Sequence, residues 1–380
     1  SRNKMKRCEN KSGKPRFGAV GRAFEAISAG IAACSRGGLD VSVALDFLVR
    51  GIIMAKLVTV YGGSGFVGRY IVRRMALAGW RVRVAVRRPN EALFVRTYGT
   101  VGQVEPVFCN IRDDASVRDA LQGADAVVNC VGILAEAGKN TFDAIQADGA
   151  ERIARLAAAE GIARLVQISA IGADAEADSE YAQTKAMGEA GVLKHMPQAV
   201  ILRPSIVFGP EDDFFNRFAG MTRISPAIPA VGADTLFQPV YVDDVAHAAE
   251  LAVTGKAPAG IYELGGPEVE SFRGLMQRML DVVNRRRMVV ALPTFVARVI
   301  AFGLDVLQSV TLGLVKNNTL TRDQVKNLAH DNVVGEGAQG FDALGISPVS
   351  MGSVLPEYLW RFRPSGQYDE IKQSAKNLRT

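Results

Sequence analysis

Cysteine is scarce in this chain: four in 380 residues, Cys8, Cys34, Cys109 and Cys130, with no C-x-x-C pair. That excludes a disulfide scaffold and a thiolate metal centre. Cys109 and Cys130 fall in apolar runs that suit buried, reduced thiols, and so a reducing compartment. Histidine is scarcer still. His195, His247 and His330 stand far apart, without the spacing of metal ligands, so they are read as structural and no metal is expected. Long hydrophobic runs are missing as well. No stretch reaches the roughly 18 consecutive apolar residues of a membrane span. The nearest, 293–315, is interrupted by Arg298, Asp305 and Gln308. There is no aromatic-interleaved basic stretch and no zinc-finger spacing, so no nucleic-acid partner is expected.

What is present is a chain with 48% hydrophobic and 22% charged residues, enough for one large globular domain or two ordinary ones. Its net charge of +6 suits an anionic surface or a polyanionic ligand. Residues 1–53 differ from the rest. They carry Arg2, Lys4, Lys6, Arg7, Lys11, Lys14 and Arg16 and are rich in Gly, Ala and Ser. Two readings stay open: a basic, acid-poor targeting peptide, or upstream translation with Met54 as the true start. Either way this segment is expected to lack order.

From Met54 onward, apolar strand-like runs alternate with helical periodicity. The strands are expected at 57–61, 82–86, 104–109, 126–131, 165–169 and 199–202, with helices at 66–78, 116–121, 142–159 and 185–193. Near-continuous apolar strands separated by helices predict an α/β fold, a doubly wound parallel Rossmann sheet covered on both faces, over 54–210. A smaller mixed α/β subdomain is expected over 211–292. It begins with a helix at 214–224 and a Pro-rich loop at 225–229, and 238–264 completes the sheet. The tail, 293–380, is expected to be mostly helical. Phe295, Val299, Phe302, Val306 and Val310 recur in it at helical spacing. That stripe suits a lipid headgroup layer or a partner, or else the chain's own core.

The first strand runs into Gly62-Gly-Ser-Gly65-Phe66-Val67-Gly68 and then a helix. This strand–turn–helix context is what a dinucleotide fingerprint requires. Gly62 permits the tight turn, Gly65 lets the backbone approach a pyrophosphate, and Gly68 lets helix and strand pack closely. The helix N-terminus offers N–H groups and partial positive charge to phosphate. The second strand ends in Arg87 and Arg88, where an NAD site usually places an acid for the ribose 2′-OH. Guanidinium groups there suit a 2′-phosphate, so the expected cofactor is NADPH. The plainer reading is two solvated arginines. Strand five ends at Ser169, and Tyr181 and Lys185 follow at i,i+4 on a helix. A lysine beside a phenol favours the phenolate and tunes it for proton transfer, while Ser169 is placed to bond a carbonyl. The three are candidate catalytic residues and candidate neighbours of the nicotinamide.

Together these pieces resemble the short-chain dehydrogenase/reductase superfamily in its extended or atypical branch. Further matches are Asn110-Ile111-x-Asp113, Asn129-Cys-Val131-Gly132, Leu202-Arg-Pro204-Ser205-Ile206-Val-Phe-Gly209 and Val242-Asp-Asp244. The resemblance implies that Asn110 and Ile111 line the adenine and that Val131 and Gly132 pack along the cofactor. It places Pro204, Ser205 and Ile206 near the nicotinamide. Asn110 departs from the Asp that the superfamily often has. A narrower resemblance is carried by Lys185-Ala-Met-Gly-Glu189, Pro210-Glu-Asp-Asp-Phe-Phe-Asn216, Leu320-Thr-Arg-Asp-Gln-Val-Lys326 and Phe341-Asp-Ala-Leu-Gly345. It is to the NADPH-binding accessory subunits of respiratory complex I, NADH:ubiquinone oxidoreductase. That likeness implies a cofactor that is held rather than turned over, with Ser169, Tyr181 and Lys185 vestigial. It also implies other complex I subunits near the quinone site as partners. The location it implies is peripheral, docked through 293–315 on the inner face of the respiratory membrane (cytoplasmic side in a bacterium, matrix side in a mitochondrion). An active NADP-dependent reductase or nucleotide-sugar epimerase is the alternative. A regulator that senses NADP(H) is a third.

Overall fold

A computed structural model describes residues 55–292, 326 and 330–368. The extension 1–53 and the apolar stripe at 295–310 lie outside the described residues. The strands β1 (Leu57–Tyr61), β2 (Arg81–Val86), β3 (Val104–Phe108), β4 (Ala126–Asn129), β5 (Arg164–Ile168) and β6 (Val200–Pro204) belong to one sheet. Gly260–Leu264 joins the same sheet beside β6, giving seven strands. Every pairing in it is parallel. The chain starts in the middle, builds outward through β2 and β3, then returns to build the other side from β4. The loops after β1 and β4 therefore diverge and leave a crevice at the carboxyl edge, where ligands of such sheets bind.

Alternation within each strand covers both faces. Val58 and Val60 point into one core, with Val82, Val84, Ile71 and Met75. Tyr61 points into the other, with Val127, Leu165 and Ile153. The first face is covered by α1 (Phe66–Leu77) and by the helix Val242–Thr254. Arg74 fastens these two, reaching Asp243 at 2.9 and 2.7 Å and Glu250 at 3.2 Å. The opposite face carries α2 (Asp114–Leu121), α3 (Asp148–Ala159) and α4 (Glu180–His195). Asp113 and Ser179 start α2 and α4 as N-caps, accepting from Ser116 N and Ala182 N.

Local differences from the expected pattern have physical causes. The long helix expected at 142–159 opens as a π turn at Asp143–Ala147 before α3 begins. The expected Pro-rich loop at 225–229 is instead part of a strand, β7 (Ala227–Val231), paired in parallel with Met288–Leu292. Pro229 lacks an N–H, and a two-stranded sheet gives every strand a free side that tolerates this. The helix expected at 214–224 is shorter, α5 (Phe215–Met221). Around it a third core gathers Phe208, Phe215, Phe237 and Phe272 with Leu275 and Met279.

Of the helical tail expected from 293, residues 330–368 are described, and only Met351–Leu359 forms an α-helix among them. The rest is laid on the body. Phe341 and Ile346 enter the main core, and Met351, Leu355 and Leu359 enter the smaller one. Apolar residues at irregular spacing serve such a segment, because its backbone bonds go to neighbours rather than to itself. Among the described residues no helix is long and apolar enough to cross a membrane.

Candidate functional site

The glycine loop joins β1 to α1 at the crevice. Gly62 has φ +74°, a left-handed conformation that a side chain would strain. Its N–H donates to Ala85 O at 3.0 Å, which draws the loop against the end of β2. At Gly68 an added Cβ would collide with Gly62 O and lie 2.8 Å from Gly63 Cα, so the helix touches the loop backbone there. At Gly65 the same test meets only Gly62 O, at 3.2 Å, and otherwise open space. The N-terminus of α1, at Phe66 and Val67, has no side-chain cap and no acid in its first turn. Backbone donors, positive dipole and open approach fit a pyrophosphate. Arg69, which the motif reading passed over, braces the loop. Its guanidinium donates to Ser64 O and Gly65 O at 3.2 and 3.3 Å and lies over the Phe94 ring. Its position one residue past the last glycine was the available signal.

Arg87 and Arg88 follow β2 and are exposed. Arg88 pairs with Glu91 at 3.0 Å, while Arg87 makes no ion pair among the described residues. Asn110, after β3, turns its Oδ1 onto Arg112 N, and Ile111 is buried. Val131 and Gly132 follow β4. Val131 approaches Gly62, and Gly132 approaches Lys185. The two halves of the expected lining thus meet across the loop.

Tyr181 and Lys185 share a face of α4. The Lys185 ammonium lies 5.8 Å from the Tyr181 ring centroid and 3.5 Å from Ile168 O. Phe142 packs edge-on against Tyr181. Burial pushes the Lys185 amine down to about 8, opposed by the nearby Glu189 carboxylate and by Cys130. Ser169 is placed differently from its expected role. It is buried, and its hydroxyl donates to Glu189 Oε1 at 2.5 Å. Glu189 is held in turn by Arg203, at 2.9 Å from Nε and 2.6 Å from Nη2. Arg203 also reaches Glu263 at 3.5 Å. The serine is therefore tied into the buried Glu189–Arg203 ion pair. Glu189 stands four residues after Lys185 on the same helix, a signal the sequence did offer.

At the end of β6, Pro204 and Ser205 are buried and Ile206 is half-buried. Ser205 donates to Asn332 Oδ1 at 2.7 Å, and Asn332 Nδ2 reaches Ile171 O at 3.4 Å. A residue from the far end of the chain thus backs the region expected to face the nicotinamide.

Comparison with known proteins fits this geometry. Residues 58–265 match the NAD dependent epimerase/dehydratase family. The mitochondrial NADH dehydrogenase (ubiquinone) 1 alpha subcomplex subunit 9 of Arabidopsis thaliana is 32% identical over 323 residues, covering 83% of this chain and 80% of that one. The mitochondrial 40 kDa subunit of NADH-ubiquinone oxidoreductase from Neurospora crassa is 28% identical over 331 residues, 87% and 86% of the two chains. Among solved structures, the UDP-glucose 4-epimerase of Thermus thermophilus in complex with NAD aligns with a TM-score of 0.57 at 20% identity, covering 81% of this chain and 99% of that one. The last likeness concerns the fold. The chain is an NAD(P)-binding Rossmann protein that belongs to the NAD dependent epimerase/dehydratase family, within the branch of the complex I alpha-subcomplex subunit 9 relatives.

Proposed function

We propose that this chain is an accessory subunit of respiratory NADH:ubiquinone oxidoreductase that holds NADPH as a structural group. It sits peripherally on the inner face of the respiratory membrane, among complex I subunits near the quinone site. The observation that carries the reading is a glycine loop open at Gly65, at the start of a helix without a side-chain cap, beside a serine whose hydroxyl donates to Glu189. Such a site retains a dinucleotide without the carbonyl anchor that turnover needs. The glycine loop and the first turn of α1 would take the pyrophosphate, and Arg87 with Arg88 the 2′-phosphate. Tyr181 and Lys185 would flank the nicotinamide, which when bound supplies a hydride. A ligand that binds only the folded chain at a thousand times its Kd stabilises it by about 4 kcal/mol.

The Tyr181–Lys185 pair favours a second reading, an NADP-dependent reductase or epimerase. Purification from membranes in mild detergent separates the two. The accessory role predicts co-purifying complex I subunits and NADPH retained through gel filtration, not oxidised when ketones or sugar nucleotides are offered. Steady turnover that Tyr181→Phe abolishes would establish the enzyme instead. Arg87→Ala should weaken NADPH about tenfold or more and NADH little, the weight of a charge-assisted bond. Equal losses would remove the 2′-phosphate role.

A further inference from the structure

On the smaller lobe, away from the crevice, arginines gather where two chain segments meet. Arg285, Arg286 and Arg287 lead into the strand Met288–Leu292 and line a groove of about 420 Å³ with Pro226, Leu280 and Asp281. Hydrogen bonds join Arg223 and Arg361 to the same surface. Arg287 Nε donates to Thr222 O at 3.0 Å, Arg285 Nε to Phe362 O at 2.9 Å, and Arg223 Nη2 to Arg361 O at 2.7 Å. The guanidinium groups of Arg223 and Arg361 both lie over the Phe362 ring. Among the described residues none of these five arginines is in an ion pair. Asp281 is the single carboxylate lining the groove.

Large apolar side chains stand in the open on the same chain segments. Ile224 is 90% exposed, Met288 67%, Val290 42% and Trp360 40%. Met288 N bonds to Pro226 O, so Ile224 and Met288 lie on neighbouring segments. A water-facing surface gains nothing from isoleucine and methionine beside guanidinium groups that have no carboxylate partner among the described residues. A headgroup layer is served by both: anionic phosphates neutralise the arginines while apolar tips enter the acyl boundary.

We propose that this arginine and apolar patch is a docking surface for an anionic phospholipid bilayer, with Arg223, Arg285, Arg286, Arg287 and Arg361 meeting headgroup phosphates. The proposal rests on the reading that the chain lies at a respiratory membrane, and it names the lipid chemistry and the residues. The full chain loaded with NADPH is floated with vesicles of phosphatidylcholine alone and of phosphatidylcholine mixed with phosphatidylglycerol. Binding to the mixed vesicles only, weakened by salt, is expected. The double variant Arg223→Glu/Arg286→Glu should lose binding about several hundredfold, since each basic charge near such a surface counts for roughly fivefold and each reversal counts twice. The double variant Arg223→Lys/Arg286→Lys should retain it. Bound NADPH read in each variant shows that the fold is kept. Equal binding to both vesicle types, or full binding by the reversed variant, overturns the proposal. Loss of lipid binding with complex I subunits still co-purifying supports it. Absence of complex I subunits from the wild-type preparation instead refutes the reading it rests on.

Discussion

Lys185 shows most clearly how one residue carries the tension of this site. Its partner by spacing, Glu189, commits both oxygens to Arg203 and Ser169, so the buried ammonium is only partly compensated. The unfolded chain keeps that proton up to the ordinary 10.5, whereas the folded chain releases it at about 8. Between those values the unfolded state binds more protons, so this residue makes stability rise with pH. Lys185→Met should therefore stabilise the nucleotide-free protein at pH 7, by up to about 3 kcal/mol, with the advantage fading as pH rises through 8 to 10. Urea unfolding of both chains at several pH values measures this. The buried phenols of Tyr61 and Tyr358 titrate higher than usual and oppose unfolding less at alkaline pH in both chains, so the difference isolates the lysine. A gap that does not change with pH would show that no buried charge is being titrated. That the tyrosine and lysine share a helix face was legible from their spacing, given the strand-end serine before them in a Rossmann chain. The fate of Ser169 was not, because it depends on Arg203 arriving from another strand.

At the scale of elements, the glycine loop separates two requirements that one motif joins. A methyl at Gly68 would press on loop backbone, which cannot rotate aside as a side chain can, whereas one at Gly65 meets a single carbonyl oxygen. Gly68→Ala should cost about 1–3 kcal/mol by overpacking, lowering the unfolding temperature with or without nucleotide. Gly65→Ala should cost the nucleotide-free protein less than Gly68→Ala does and remove the stabilisation that NADPH gives. Thermal unfolding of each variant with and without NADPH measures both. A Gly65 variant still fully stabilised by NADPH would place the pyrophosphate elsewhere. This loop was legible because its context, apolar strand before and helix after, is local. The six strands of the main sheet expected before 210 were legible for the same reason, with ends displaced by a residue or two. The pairing of β7 with Met288–Leu292 was not. Neither segment alternates cleanly, Pro229 reads as a breaker, and the partner lies far along the chain.

At the largest scale, the C-terminal segment over 330–346 ties elements of the described body together, and it is the part least legible in sequence because it has no period. Asn332 N donates to Leu236 O at 2.8 Å, and its own carbonyl accepts from Gln238 N and Ser205 Oγ. Further on, Gly335 N bonds Glu263 Oε2, and Gln339 O accepts from Glu263 N, covering the outer edge of the seven-stranded sheet. Phe341 and Ile346 then anchor the segment in the main core. Asn332 therefore bridges the loop after β5, the end of β6 and the smaller lobe, and it does so behind Ser205, where the nicotinamide is expected. A nucleotide that orders Ser205 and Ile206 lowers the freedom left to whatever rests on them. NADPH should accordingly slow amide hydrogen exchange at Asn332 and Gly335 as well as in the glycine loop. Asn332→Ala removes the side-chain link to Ile171 and Ser205, at a cost of about 1 kcal/mol. It should abolish the distal slowing while the glycine loop remains protected. If NADPH protects the loop and leaves exchange across 331–340 untouched in the wild-type chain, the C-terminal segment is a passive edge cover, and it is not energetically joined to the glycine loop.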